Sequence, residues 1–294
     1  MMKKLSAPDV FKAHSSHIID LAFTPDSRFL LSAGMDNQVH QWTAGDWSLA
    51  QSYTGHEKSV NTVWPTPRGD RFITASSDRR VLLWTFGSGD SPEELPLKGS
   101  SAALSGKGRF LAALDSPWLT LMDFVAGAVI NRIKPFPRRT TSLAFHPEDL
   151  WLAAGGQGDD IRLLELPGGE PIHEISQAHQ GYVLSLAVSP DGNLLISTGY
   201  EKVMKFWRID GWRQVGEIAL ENQGVQSLAF SPEGRLLAVA SDHRLTLVDT
   251  QSADIIQKLD LDPKGVYCPA FSADGRWLAL GSADKRIRLW DLAE

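Results

Sequence analysis

The chain has 294 residues, of which 43% are apolar, and this content suffices to bury a sizeable core. The net charge is −6 and the basic residues are scattered, which disfavours nucleic acid as a partner. The single cysteine, Cys268, excludes an internal disulfide and favours a reducing, cytoplasmic compartment. No stretch approaches the roughly 20 apolar residues of a membrane helix, so we expect a soluble protein that does not enter a membrane.

One short strand pattern occurs seven times along the chain. Its copies end at positions that are 38 to 43 residues apart, and this regularity indicates a repeat architecture. The copies are VHQW (39–42), VLLW (81–84), LTLM (119–122), IRLL (161–164), MKFW (204–207), LTLV (245–248) and IRLW (287–290).

Two apolar strands joined by a polar turn precede each copy. The first repeat reads LAFTPDSRFLLSAG (21–34) and the fifth reads LAVSPDGNLLISTG (186–199). Pro, Asp and Gly favour tight reversals, and the flanking residues favour strands. A more polar fourth strand follows, such as SLAQSYTG (48–55), and no segment has helical periodicity. The sequence therefore predicts an all-β protein of seven four-stranded antiparallel sheets.

The two ends of the chain complement each other in this scheme. Only residues 291–294 follow the seventh copy, so the last repeat lacks a fourth strand of its own. Residues 8–13 precede the first repeat where every other repeat has a fourth strand. We expect the N-terminal segment to complete the seventh sheet, which closes a ring without open edges. The ring uses residues 1–294, so we expect a single domain.

The repeat resembles the WD-repeat family of β-propellers over essentially the whole chain. The Trp-Asp pair itself is present at Trp290-Asp291, and Trp42, Trp84 and Trp207 keep its aromatic half. The resemblance implies a seven-bladed β-propeller, with four-stranded blades around a channel.

Family members also pin their blades with a buried His–Ser/Thr–Asp–Trp hydrogen-bond network. Three repeats here match that pattern, and in each of them the histidine precedes the tryptophan by 28 residues. The third and fourth repeats show no such network. The matching sets are His14, Ser32, Asp36 and Trp42; His56, Thr74, Asp78 and Trp84; and His179, Ser197, Glu201 and Trp207.

The resemblance further implies a binding face. In WD-repeat propellers, the loops between strands two and three and between successive blades share one face that commonly binds partners. Repeat alignment places there the apolar residues Ile19, Met35, Tyr182, Leu184, Tyr200 and Tyr267. The opposite arc carries the polar residues Lys98, Asp115, Arg138, Arg139, Thr141 and Gln157. Tyrosine and methionine are enriched at interface cores, although exposed apolar residues can also be without function.

Trp47 and Trp212 occupy equivalent turns between strands three and four. We expect them on the other face of the ring, where they stabilise these turns.

Catalytic and metal chemistry are weaker interpretations of the same residues. The Ser–His–Asp sets suggest a hydrolase, but their serines lie mid-strand without a nucleophile elbow. His14, His17 and His40 lack an evident set of further ligands for zinc, so we expect no metal and no cofactor.

These observations lead us to expect a protein-binding scaffold rather than an enzyme. Such a chain would be a monomer by itself and part of a larger complex. The first alternative is a propeller-type hydrolase or lyase with its site at the channel mouth, since fold alone does not decide function.

Overall fold

The computed structural model describes residue 5 and residues 7–221, 224–261 and 265–293. In this part of the chain, 28 strands form seven four-stranded antiparallel sheets, and there is no helix. It therefore contains no helix that is long and apolar enough to cross a membrane. The sheets are the seven blades of a β-propeller, as the sequence predicts.

The first three blades follow one another in chain order. Blade 1 comprises β2 (Ile18–Phe23), β3 (Phe29–Gly34), β4 (Gln38–Thr43) and β5 (Leu49–Thr54). Blade 2 comprises β6 (Val60–Pro65), β7 (Arg71–Ser76), β8 (Arg80–Thr85) and β9 (Glu93–Lys98). Blade 3 comprises β10 (Ser101–Leu104), β11 (Phe110–Asp115), β12 (Trp118–Asp123) and β13 (Ala128–Ile133).

The next three blades repeat the arrangement. Blade 4 comprises β14 (Thr140–Phe145), β15 (Trp151–Gly156), β16 (Ile161–Glu165) and β17 (Pro171–Ile175). Blade 5 comprises β18 (Val183–Val188), β19 (Leu194–Gly199), β20 (Val203–Arg208) and β21 (Arg213–Ala219). Blade 6 comprises β22 (Val225–Phe230), β23 (Leu236–Ser241), β24 (Arg244–Asp249) and β25 (Asp254–Asp260).

Blade 7 takes strands from both ends of the chain. It comprises β26 (Val266–Phe271), β27 (Trp277–Ser282), β28 (Arg286–Asp291) and β1 (Asp9–Lys12), and β1 pairs with β28 antiparallel. The register joins Val10 to Arg288 and Phe11 to Ile287. The N-terminal strand thus completes the last blade, which confirms the closure that the sequence predicts.

The turn between the first two strands follows a common design in six blades, and blade 4 differs by having His146 at its start. A hydroxyl residue at its start accepts the N–H of the residue five positions later, as Thr24 does from Phe29 (3.0 Å) and Ser189 from Leu194 (2.9 Å). Three residues after that hydroxyl, the backbone has a positive φ, for example 73° at Gly192. Glycine occupies this position in five blades because it adopts positive φ without steric cost.

The hydrophobic core is divided among the junctions between blades. In the described part of the chain, seven buried clusters each join side chains of two neighbouring blades. The cluster between blades 7 and 1, for example, joins Leu289 and Trp277 to Leu30 and Phe23. Burial of this apolar surface favours a ring in which every blade has two packed neighbours.

Candidate functional site

The first strands of all seven blades surround a central channel of about 860 Å³. Its walls present both polar and apolar side chains. Because the blades are antiparallel, the loops between strands two and three and the loops between blades share one end of the ring. We call this end the upper face; in blade 1 it includes residues 35–37 and 55–59.

A β-bulge directs one side chain of most first strands into the channel at the upper face. In blade 1, Ile18 pairs with Gly34 and Asp20 with the adjacent Ala33, so Ile19 has no partner. The same register shift occurs in blades 2, 4, 5, 6 and 7. Bulges re-aim side chains in this way near functional sites. The channel-lining residues at these positions include Ile19, Asn61, Thr141, Leu184 and Tyr267.

The structure separates the six expected partner-binding residues into two groups. Ile19, Met35, Leu184 and Tyr267 line the channel. Tyr182 and Tyr200 form a pair beside it on blade 5, with ring centroids 6.1 Å apart. The N–H of Tyr200 donates to the carbonyl oxygen of Tyr182 (3.0 Å).

Two of these six side chains are freely accessible. Tyr200 is 68% exposed and Met35 is 45% exposed. Tyr182 and Tyr267 are half-buried, and Tyr267 lies 6.2 Å from the His17 ring. The apolar arc therefore consists of a channel-lining part in blades 5, 7 and 1 and an aromatic pair in blade 5, of which Tyr200 is exposed and Tyr182 is half-buried.

Several polar groups on the side of the mouth formed by blades 2 to 4 are already bonded within the fold. Asn61 donates to Ser77 Oγ (3.0 Å) and to the carbonyl of Ser100 (2.7 Å). Thr141 donates to the carbonyl oxygen of Val183 in the next blade (2.5 Å). These groups stabilise contacts between the blades.

The three polar networks expected in blades 1, 2 and 5 are present as hydrogen bonds. In blade 1, Trp42 Nε1 donates to Ser32 Oγ (2.9 Å), which also bonds His14 Nε2 (2.7 Å). His14 Nδ1 lies 2.9 Å from Asp36 Oδ1. Blades 2 and 5 repeat these bonds with Thr74 and Ser197 as the central hydroxyls. Each buried polar group thus satisfies another, which avoids the cost of burying it alone.

Comparison with known proteins gives the same architecture. The family model "WD domain, G-beta repeat" matches residues 6–43, 47–85, 169–208 and 255–291, which is more than half of the chain. The chain belongs to the WD-repeat family. A second model, "Anaphase-promoting complex subunit 4 WD40 domain", matches residues 189–271. The matched WD repeats include blades 1, 2 and 5, which carry the polar network.

Individual relatives are similar at lower identity. Striatin-4 of Homo sapiens is 26% identical over 280 residues, covering 84% of this chain but 37% of that protein. Pre-mRNA-processing factor 19 homolog 2 of Arabidopsis thaliana is 24% identical, covering 81% of this chain and 46% of that protein. THO complex subunit 3 of the same plant is 22% identical, covering 79% and 76%. The chain thus spans less than half of the first two relatives.

Blade 7 builds a different polar contact from the WD-repeat network. The guanidinium of Arg288 donates to Ser282 Oγ (2.6 Å) and to Asp284 Oδ2 (2.6 Å). All three side chains are largely buried, so the charges are paired where they are shielded from water. Repeat alignment does not reveal this set, because an arginine supplies the donors instead of a histidine.

Asp20 is a channel residue that no motif in the sequence indicates. Its Oδ1 accepts the N–H of Leu21 (2.9 Å) and its Oδ2 accepts the N–H of Val63 in blade 2 (2.9 Å). Thr62 and Ser142 occupy the same position in blades 2 and 4, and their hydroxyl oxygens also accept an N–H of the next blade. The donors are Ala102 (3.2 Å) and Leu186 (2.9 Å), respectively. Burial raises the pKa of Asp20 to about 7.

One cluster in the described residues has the composition of a metal site. Possible ligand atoms of His14, Asp36 and His40 lie within 4.8 Å of one another. Both ring nitrogens of His14 already bond Asp36 and Ser32, and His40 Nδ1 bonds Ser52 Oγ (2.8 Å). Burial and the neighbouring His14 lower the pKa of His40 to about 4. Hydrogen bonds within blade 1 therefore account for His14, for Asp36 and for Nδ1 of His40.

The same bonds bear on the hydrolase interpretation. Ser32 and Ser197 are fully buried, and each hydroxyl is held between a histidine and a tryptophan. A nucleophile must be reachable by its substrate, and these hydroxyls are not. The Ser–His–acid sets therefore have a structural role.

On the lower face, Trp47 and Trp212 connect neighbouring blades. Trp47 packs edge-on against Trp277 of blade 7 (centroids 5.0 Å apart), and Trp212 packs against Trp151 of blade 4 (5.4 Å). The two tryptophans, each in the turn between strands three and four of its blade, thus stabilise the contact with a neighbouring blade.

Proposed function

We propose that this WD-repeat chain is a non-enzymatic scaffold that binds a protein or peptide through the upper face of the propeller. The proposed contact surface consists of Tyr182 and Tyr200 together with Ile19, Met35, Leu184 and Tyr267. The chain would act in the cytoplasm as a monomer within a larger complex, without nucleic acid, membrane, metal or cofactor as a ligand.

The observation that carries this proposal is the exposed Tyr200 beside Tyr182, next to a mouth lined by Met35 and Tyr267. Tyrosine side chains are frequent hot spots, because a large rigid ring gains contact area at little entropic cost. The blades behind them are fixed by packed cores, so little further ordering is needed when a partner binds.

The names of related proteins support a role in complexes. THO complex subunit 3 and anaphase-promoting complex subunit 4 are named as subunits of assemblies. A propeller that serves a complex needs a stable surface rather than a reaction centre. The enzyme alternative is less well supported, because the serines of the Ser–His–acid sets are fully buried and hydrogen-bonded.

The test is affinity capture from the native host with the wild type and with Tyr182→Ala/Tyr200→Ala. We expect the variant to lose at least one partner, since a hot-spot tyrosine contributes about 2 kcal/mol or roughly 30-fold in affinity. Its melting temperature should stay near that of the wild type, because Tyr200 is exposed and Tyr182 is half-buried.

A control variant removes two exposed apolar side chains elsewhere. Ile172 and Val215 lie on outer strands and are 50% and 51% exposed. The variant Ile172→Ala/Val215→Ala should keep every partner. Retention of all partners by the tyrosine variant would place the interface elsewhere and contradict the proposal.

A further inference from the structure

At the junction between blades 4 and 5, the backbone of Gln157 lies between that of an arginine and that of a tyrosine. The N–H of Gln157 donates to the carbonyl oxygen of Arg139 in blade 4 (2.7 Å). Gln157 also forms an antiparallel bridge with Tyr182 of blade 5. Neighbouring strands lie about 4.8 Å apart, so the backbones of Arg139 and Tyr182 are separated by roughly 10 Å.

The loops at this junction are tied together by further hydrogen bonds. Gly158 N–H donates to the carbonyl of Gly181 (3.0 Å), and Gly181 N–H donates to Asp159 Oδ1 (2.8 Å). His179 N–H donates to the carbonyl of Asp159 (2.9 Å). These bonds hold the two upper loops in one arrangement, which makes the junction a preorganised surface.

The arginines at this junction differ from other arginines of blades 2 to 4. Arg79, Arg80 and Arg162 form ion pairs with Asp115, Glu94 and Glu174. Arg138 and Arg139 are exposed and have no side-chain partner within the described part of the chain.

Each carboxylate of the same junction accepts a hydrogen bond from another group. Asp159 accepts Gly181 N–H, and Asp160 accepts Gln177 N–H (3.0 Å). Glu201 bonds His179 Nδ1 (2.6 Å). Arg138 and Arg139 thus keep free donors at the junction that also carries Tyr182.

We propose that this junction binds a peptide segment of the partner in which an acidic side chain accompanies an apolar anchor. The inference rests on the proposed function and specifies its partner. The guanidinium groups of Arg138 and Arg139 would bind the carboxylate, for which their planar donors are suited. Tyr182 and Tyr200 would pack against the anchor. An extended peptide rises about 3.3 Å per residue, so the acid and the anchor should be two to four residues apart.

The test selects short random peptides, displayed on phage, against the wild type. We expect enrichment of peptides that combine Asp or Glu with an apolar residue at this spacing. The variant Arg138→Gln/Arg139→Gln should bind the selected peptides about tenfold more weakly, as the loss of a charge-assisted hydrogen bond requires. Tyr182→Ala/Tyr200→Ala should abolish their binding.

A control variant removes the same charge from the lower end of the ring. Arg68 and Arg213 are exposed there, and Arg68→Gln/Arg213→Gln should bind the peptides like the wild type. The reversed variant Arg138→Glu/Arg139→Glu should instead select peptides with Lys or Arg.

The outcomes separate this inference from the proposed function. Selection of apolar peptides without enrichment of Asp or Glu, whose binding is lost in the tyrosine variant, would overturn the inference. The proposed function would then still stand. Selected peptides that bind the tyrosine variant as well as the wild type would contradict both the inference and the proposed function. Binding of single-stranded RNA that requires Arg138 and Arg139, with no acidic enrichment among peptides, would replace the acidic segment by nucleic acid.

Discussion

The carboxyl group of Asp20 occupies a position that other blades fill with a neutral side chain. Thr62, Ser142 and Cys268 stand at this point of their first strands. Asp20 links blade 1 to the N–H of Val63 as a hydroxyl could, but it adds a group that can ionise in the channel wall. Burial, and the nearby Asp20, raise the pKa of Cys268 well above its usual value, so that thiol stays protonated.

Asp20 should make the stability of the chain depend on pH. Its pKa is about 7 in the folded state against an ordinary 3.8, so the folded state retains a proton that the unfolded state releases. The resulting stability is complete below pH 3.8 and is lost as pH rises through about 7. We therefore compare the melting temperature of Asp20→Ser with that of the wild type at each pH. We expect the difference, variant minus wild type, to be a few degrees larger at about pH 8 than at about pH 5.

Thermal unfolding of both proteins at matched pH values measures this difference. The buried His40, His56 and His179 have lowered pKa values, chiefly because of burial, and they reduce stability as pH falls. Comparison at the same pH cancels that effect. Thr62→Ser removes no titratable group, so its melting temperature should depend on pH as that of the wild type does. Equal pH slopes for Asp20→Ser and the wild type would refute the assignment.

At the scale of the element, blade 4 replaces the polar network with apolar side chains. Phe136 stands 28 residues before Leu164, the same spacing that separates histidine from tryptophan in blades 1, 2 and 5. Ala154 takes the place of the hydroxyl residue, and all three side chains belong to one buried cluster. Apolar residues of suitable shape can replace a buried polar set without loss of stability.

This equivalence predicts that the network of blade 2 is sensitive to partial removal and tolerant of complete replacement. Thr74→Ala leaves Trp84 Nε1 and His56 Nε2 buried without their partner, which should cost about 2–5 kcal/mol. The variant His56→Phe/Thr74→Ala/Trp84→Leu copies blade 4 and should recover at least half of that loss.

Chemical denaturation measures both free energies of unfolding. Ala154→Thr is the converse control, because it buries a hydroxyl without a partner in blade 4 and should also destabilise. A triple variant less stable than Thr74→Ala would show that the two kinds of core are not interchangeable.

The sequence predicts the blades well because each element signals itself locally. The turn residues, the strand alternation and the spacing of 28 between His14 and Trp42 all lie within one repeat. The link from Asp20 to blade 2 and the separation of the mouth residues into two groups depend on neighbouring blades and on bulges. The bridge between Gln157 and Tyr182 arises in the same way, so no single repeat reveals it. The Arg288 contact lies within blade 7, but an arginine takes the role that the repeat pattern gives to a histidine.

At the scale of the whole molecule, closure determines whether the upper face exists as one surface. β1 pairs with β28, and Leu5 N–H donates to Gln257 Oε1 on the outer strand of blade 6 (2.8 Å). The N-terminal segment therefore contacts two blades that are remote from it in sequence. An open array would leave the cluster between blades 7 and 1 unpacked and would separate Tyr267 from His17 and Met35.

A disulfide across the closing strand pair tests this account most directly. Lys12 and Arg286 face each other in the β1–β28 register, both are exposed, and the native Cys268 is buried. Such paired positions have the Cα separation that a disulfide needs. We predict that Lys12→Cys/Arg286→Cys oxidises spontaneously and melts at a higher temperature oxidised than reduced, whereas Lys12→Cys/Arg213→Cys forms no bond. A reduced double variant that folds like the wild type but cannot form the bond would contradict the closed ring.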